Sequence, residues 1–239
     1  MARLLVGLPA PQGDLAKYAT RFDLVEIRPV DTVVPKPPTL RKWRKSVPPS
    51  FVFSVVLPRV VGALAPSPAL DEAIAASLQV AVALEARCIV LPTPPEVRPT
   101  ATNKKRLAAV FERLPADGLV RCWEPSGIWE RDDVVEVARA IGVLPVFDAA
   151  REALAAGPIA YTRLRALGKS AALGQATVER VADRLRRRRE AFVVVEGPRE
   201  AQRVKSALTA ELARKPARPA GVTVVRPTLN TLVAEDEEQ

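Results

Sequence analysis

Short apolar runs alternate along the chain with segments whose apolar positions recur every three or four residues. The runs at residues 4–8, 24–27, 51–56, 88–91, 119–123, 144–147, 160–164 and 192–195 are rich in Val, Ile and Leu and read as strands. The segments between them read as helices. Asp14 caps one that carries Leu15, Tyr18 and Phe22, and Thr39 caps residues 40–45. Residues 71–86 form the longest apolar helix, with Ile74, Leu78 and Val82 at helical spacing, and residues 101–114 and 132–141 follow. In residues 177–189, Val178, Val181 and Leu185 share a face, with Arg180, Arg184 and Arg188 largely opposite. Residues 198–213 make the last helix, with Pro198 in its first turn. Strands alternating with helices predict a parallel sheet, and eight is the number that closes a barrel. The expected fold is a single-domain (β/α)8 barrel of the TIM type over residues 1–214. Residues 215–239 read as a Pro-rich break, a short strand-like piece at 221–225 and an acidic end, Glu235-Asp236-Glu237-Glu238.

Composition narrows the chemistry more than the fold. The 239 residues suit one barrel. They include no histidine, which excludes a Ser-His-Asp triad, a Cys-His dyad and a His-based metal site. Catalysis, if any, rests on carboxylates, Arg, Lys, Tyr, Cys or a cofactor, and no motif specifies which cofactor. Cys88 and Cys122 sit in apolar runs and are expected to be buried free thiols in a reducing cytoplasm. No uncharged apolar stretch has transmembrane length, so a cytoplasmic protein without a membrane partner is expected. The net charge of +9 permits polyanion binding. Two basic clusters carry it, Arg41-Lys42 with Arg44-Lys45, and Arg184 with Arg186-Arg187-Arg188-Arg189. Each is either a solvated helix face or a surface for nucleic-acid phosphates.

Several local motifs occur in a telling order. They are Val6-Gly7; the stretch from Tyr18 through Phe22 to Val25-Glu26; Trp43 followed by Val47-Pro48-Pro49-Ser50-Phe51-Val52-Phe53; Pro58-Arg59; Pro94-Pro95; Trp123-Glu124-Pro125-Ser126-Gly127-Ile128-Trp129; Asp148; and Tyr161-Thr162-Arg163-Leu164 with Gly168. Together, over residues 4–213, they resemble the YecE-like family, domain of unknown function 72. The resemblance implies a TIM-type barrel and supplies no reaction. The chain departs from the family's pattern at positions that would line a barrel mouth. Arg28 stands where the family has Asn, Val56 where it has Lys, and Pro92 where it has Gln. Arg165 stands in its Arg-Leu-His-Gly-like strand end, and Val195-Glu196-Gly197 replaces its Phe-Asn-Asn.

Functional groups of such barrels sit at the C-terminal ends of the strands. Glu26, Glu124, Asp148, Arg163 and Glu196 all fall there. Glu26 and Glu124 form the preferred acid/base pair, one carboxyl kept protonated by burial and facing an ionised one, with Asp148 as a third catalytic candidate. Arg163 would anchor an anionic group, and Arg28 and Arg165 would join it if they fill the mouth. Trp123 and Trp129 flank Glu124 and offer stacking surfaces for a substrate. No metal site is assigned, although a cluster of three carboxylates would suit Mg2+ or Mn2+. A loop at residues 169–173, between Gly168 and Gly174, offers backbone N–H groups to a phosphate. Three readings follow. The first is an enzyme, or the relic of one, acting on a polar or anionic metabolite at the mouth. The others are a scaffold that has lost its site and a polyanion-binding protein using its outer helices. The set of strand-end charges also reads simply as a structural ion-pair network.

Overall fold

The computed structural model describes residues 2–28, 35–165 and 174–214. Eight strands, all paired in parallel, run β1 (Arg3–Leu8), β2 (Leu24–Ile27), β3 (Val52–Val56), β4 (Cys88–Pro92), β5 (Val120–Glu124), β6 (Leu144–Pro145), β7 (Ile159–Leu164) and β8 (Glu190–Val195). Their order in the sheet is β6-β5-β4-β3-β2-β1-β8-β7. A bridge between Phe147 and Thr162 brings the two outermost strands together, so the sheet is a nearly closed barrel. The proposed loop at 169–173 with Gly168, and the break, strand and acidic end at 215–239, lie outside the described residues.

The strands are buried on both faces, which is why they read as continuous apolar runs. Outward residues such as Val6, Val25, Phe53, Ile89 and Val193 pack under the helices. Inward residues, among them Leu5, Leu24, Val90, Cys122 and Phe192, fill the lumen as a separate cluster. Cys88 and Cys122 are both free and buried there. Gly7 lets β1 approach β2, because a Cβ at that position would meet the carbonyl oxygen of Leu24 at 1.8 Å.

The helices are α1 (Leu15–Ala19), α2 (Pro37–Lys45), α3 (Arg59–Gly62), α4 (Pro68–Ala83), α5 (Ala101–Glu112), α6 (Arg131–Ala140), α7 (Gln175–Arg186) and α8 (Pro198–Ala213). Two start earlier than their polar caps suggested. α2 begins at Pro37 rather than after Thr39, and α4 begins at Pro68 behind Ser67, whose Oγ accepts from the N–H of Leu70. Proline fits the first turn because its missing N–H has no helical partner there. α7 ends at Arg186, before the predicted limit, because β8 begins at Glu190.

The β6–β7 seam differs from the other seven. Residues 146–158 connect the two strands without a helix, and β6 is shorter than the predicted 144–147. Pro145 offers no N–H to a ladder. A side chain closes the seam instead: Thr162 Oγ1 donates to the Phe147 carbonyl (2.7 Å) and accepts from the Ala149 N–H (2.9 Å). From α7, Arg184 Nη1 donates to the Ala149 carbonyl at 2.6 Å and Arg180 Nη1 to that of Ala150 at 3.1 Å. Part of the basic cluster of α7 therefore holds the turn that carries Asp148.

Candidate functional site at the C-terminal mouth

Alternation along each strand decides which charges face inward. Glu26 lies two residues after the inward Leu24, Glu124 two after Cys122, Asp148 two after Val146, and Arg163 two after Tyr161. All four are buried. Arg163 joins the two glutamates. Its Nη1 and Nη2 donate to Oε2 and Oε1 of Glu26 at 2.9 and 2.7 Å, and its Nε donates to Glu124 Oε1 at 2.9 Å. The same Glu124 oxygen accepts from Arg165 Nη2 at 2.9 Å. Tyr161 donates its hydroxyl to Glu26 Oε1 at 2.6 Å and accepts from Ser54 Oγ at 3.0 Å. Arg28 Nη2 lies 3.8 Å from Glu26 Oε2. The result is a hydrogen-bonded chain from Ser54 through Tyr161 to Glu26, Arg163, Glu124 and Arg165, the last four alternating in charge.

This geometry corrects the expected acid/base pair. The two glutamates do not face each other, because the Arg163 guanidinium is inserted between them. Burial pushes the Glu124 carboxyl up, but the charges and hydrogen bonds of Arg163 and Arg165 outweigh it and hold the group below the usual carboxylate range. Glu124 is thus an ionised acceptor and not a stored proton. Burial pushes the Tyr161 phenol well up, and the neighbouring Glu26 carboxylate adds to the effect, so Tyr161 stays a donor. Burial works against the charge on Arg163, yet Glu26 and Glu124 more than restore it, making Arg163 a fixed cation.

Asp148 has a local task. Its Oδ1 accepts from the Ala150 N–H at 2.9 Å, and its Oδ2 accepts from the Arg165 N–H at 3.4 Å, with Arg151 Nε 3.7 Å away. It ties the turn after β6 to the end of β7. Glu196 is exposed at the end of β8. Among the described residues, no group of three or more acidic or cysteine side chains is placed to hold a metal ion.

The Trp123–Trp129 motif is an architectural device around Glu124. Trp123 points away from the lumen, has no exposed surface, and donates from Nε1 to Thr93 Oγ1 at 3.1 Å. It therefore offers no stacking face to a ligand, which corrects that expectation. Trp129 packs edge-on against it, with centroids 4.9 Å apart and planes at 87°, and donates to the Val97 carbonyl at 2.6 Å. Gly127 makes the turn between them at φ +88°, where a Cβ would meet the Pro95 backbone at 2.9 Å. Tyr18 in the first motif is likewise structural, since its hydroxyl accepts from the Leu8 N–H and donates to the Leu24 carbonyl.

Above the buried network lies a cavity of about 250 Å3, lined by Glu124, Trp129, Arg131, Asp148, Arg151, Glu152, Arg163 and Arg165 among others. Its exposed cations, Arg131, Arg151 and Arg165, stand forward, while Arg163 and the carboxylates, save the exposed Glu152, stand back. The side chains of Arg131, Arg151 and Arg165 are 39, 52 and 47% exposed, against 8 and 7% for Glu124 and Asp148. Arg131 and Arg151 were not among the sequence candidates, because they lie on a helix start and a turn and not on a strand end. Tyr161 and Ser54 were also missed as site residues. Their parity with Arg163 and Val52 on their strands was the available signal. A larger cleft, about 560 Å3, opens at the opposite end of the barrel between the starts of β5, β6 and β7 and the end of α6. It is lined mainly by aliphatic side chains such as Val135, Val143, Leu144 and Ile159, so the smaller cavity is the one with chemistry.

Eight parallel strands around a packed lumen, with a charged cluster at their C-terminal ends, define a TIM-type barrel. The family described as "Protein of unknown function DUF72" matches residues 6–223, and the chain belongs to that family. Solved structures agree. A DUF72 family protein from Enterococcus faecalis V583 superposes with a TM-score of 0.73 at 14% identity, covering 90% of this chain and 99% of the other. One from Thermotoga maritima MSB8 gives 0.65 at 17% identity, covering 87% and 97%. A D-tagatose 3-epimerase-like protein gives 0.59 at 14% identity, covering 89% and 97%. At such identities the likeness is one of fold. No curated protein sequence matches the chain.

Proposed function

We propose that the protein binds a small polar, anionic metabolite at the C-terminal mouth of its barrel, as an enzyme or as the relic of one. One observation carries the reading: three partly exposed arginines, Arg131, Arg151 and Arg165, line one cavity whose floor is Arg163 and Glu124, pre-ordered by the Glu26 behind them. Fixed charges in a recessed site bind an oppositely charged ligand without first having to be ordered. The epimerase-like neighbour supports a hydroxylated ligand by analogy of fold alone. Within this reading Arg163 positions Glu124, Arg165 and Arg151 take the anion, and Glu124 accepts hydrogen bonds. Trp129 belongs to the wall, and Arg28 stands beside Glu26, outside the residues that line the cavity.

The scaffold reading draws on a specific fact, namely that all three guanidinium nitrogens of Arg163 are already engaged by protein carboxylates. The polyanion reading has less support. Besides Arg184, Arg186 donates to the Glu211 and Arg214 carbonyls at the end of α8, and Arg188 donates to the Gly157 carbonyl.

A thermal-shift screen of the wild type and Glu124→Gln against sugars, sugar phosphates, hydroxy acids, nucleotides and divalent metals tests the proposal. The expected result is stabilisation of the wild type by anionic hydroxylated compounds, reduced in a folded Glu124→Gln. Stabilisation by neutral sugars alone, or an equal response in both proteins, would overturn it.

A further inference from the structure

We infer that the mouth recognises two adjacent groups of one ligand, an oxyanion on the arginines and a neighbouring hydroxyl on Glu124. The ligand class is therefore a small hydroxylated acid or phosphate ester, and the inference rests on the anion-binding reading above. Its basis is the asymmetric use of the Glu124 carboxylate. Both hydrogen bonds to that group, from Arg163 and from Arg165, fall on Oε1. Oε2 accepts none among the described residues. It is also not among the buried side-chain atoms left without a partner, so it reaches the cavity that Glu124 lines. A carboxylate oxygen accepts and never donates, so what completes it is an O–H or N–H of a ligand. Arg163 and Arg165 both hold the carboxylate through Oε1, which fixes its direction.

The cations beside it are placed for the second group. Arg165 uses Nη2 on Glu124, and Arg151 reaches Asp148 only through Nε, at 3.7 Å. No hydrogen bond among the described residues uses Nη1 of Arg165 or either Nη of Arg151. Asp148 is the weaker acceptor for the ligand's hydroxyl, since each of its oxygens already faces a backbone N–H group. The exposed Glu152 on the same rim disfavours a bulky multiply charged anion, which would meet it. A cavity of about 250 Å3 suits a compact ligand of a few carbons. Carboxylate and phosphate heads share the chemistry that planar guanidinium forks recognise.

Isothermal titration with four compounds separates the possibilities: glycerate, glycerol 3-phosphate, propionate and glycerol. Propionate lacks the hydroxyls and glycerol lacks the anion. The expected result is that glycerate, glycerol 3-phosphate or both bind roughly tenfold or more tightly than propionate and glycerol, about the worth of one charge-assisted hydrogen bond. Which of the two binds better identifies the head group. In Glu124→Gln the arginines need an oxygen at the Oε1 position, so the amide NH2 falls at the Oε2 position and the charged acceptor is lost. That variant removes most of the preference over propionate. Arg165→Gln, at an exposed position that keeps the fold, weakens every anion and leaves the preference for hydroxyls. If propionate binds the wild type as tightly as glycerate and glycerol 3-phosphate, the two-group inference is wrong and the anion site stands. If glycerol alone binds, or none of the four binds, both are wrong.

Discussion

The two ends of this barrel each hold a glutamate between two arginines, and they differ in what surrounds the charges. At the N-terminal end Glu190 meets Arg3 at 3.1 Å and Arg87 at 3.5 Å, and the two arginine side chains are 55 and 46% exposed. At the C-terminal end Glu124 meets Arg163, which is 4% exposed, and Arg163 in turn holds the fully buried Glu26. Water screens the two arginines of the first set, although Glu190 itself is as buried as Glu124, so losing one arginine while the other remains costs little. The second set is desolvated, and each member depends on its partners because an unpaired charge there has no water to turn to. Tyr161 and Ser54 extend it into the lumen. The same residue types thus close one end of the barrel and build a pre-ordered site at the other.

The sharpest way to break this contrast is Arg163→Met, which keeps the aliphatic stem and leaves Glu26 only the Tyr161 hydroxyl and Arg28 at 3.8 Å in place of its bidentate partner. A loss of about 3–5 kcal/mol in urea unfolding is expected, and a loss no larger than that of an exposed pair would erase the distinction. Glu124→Gln is milder, about 2–3 kcal/mol, because Arg163 keeps Glu26. It also has a pH signature. The folded-state pKa of Glu124 is depressed, so its stabilisation is complete above the usual glutamate range and is lost as pH falls through the folded value. The stability gap between wild type and Glu124→Gln should hold steady from neutral pH down to about pH 5 and shrink below about pH 4. A gap that instead grows on acidification contradicts the assignment. Thr162→Val removes the hydroxyl that closes the β6–β7 seam and should cost about 1–2 kcal/mol, with faster amide exchange at Ala149 as the local readout. Arg87→Gln at the other end should cost about 1 kcal/mol or less, and added salt should abolish even that.

Much of the fold was legible in the sequence because parallel strands covered on both faces leave unbroken apolar runs, as at Val52–Val56 and Phe192–Val195. The family motifs added the order of the pieces. Helix starts were less legible where proline, not a polar cap, opens the first turn, as in α2. Glu26, Glu124, Asp148 and Arg163 could be found because each lies in or just beyond the C-terminal end of an apolar run. Their roles could not. Arg163 lies 137 residues from Glu26 and 39 from Glu124, so its insertion between them is a product of barrel closure that no local pattern carries. That insertion puts a fixed ion network where a protonated carboxyl facing an ionised one was expected. Trp123 misled for a related reason. Odd and even positions of a strand face opposite sides, so a residue next to an inward Glu124 must point outward, as Trp123 does. Arg131 and Arg151 reach the mouth from outside the strands and were invisible to a search of strand ends.

The central claim is that the C-terminal mouth, rather than the aliphatic cleft at the other end or the arginines of α7, is where this protein meets its ligand. A crystal structure of the protein soaked with glycerate or glycerol 3-phosphate tests it most directly. The account predicts density in the cavity above Arg163, with an oxyanion on Arg165 or Arg151 and a hydroxyl on Glu124 Oε2. Density at the N-terminal cleft or on Arg186–Arg189 alone, with the mouth empty, would contradict it.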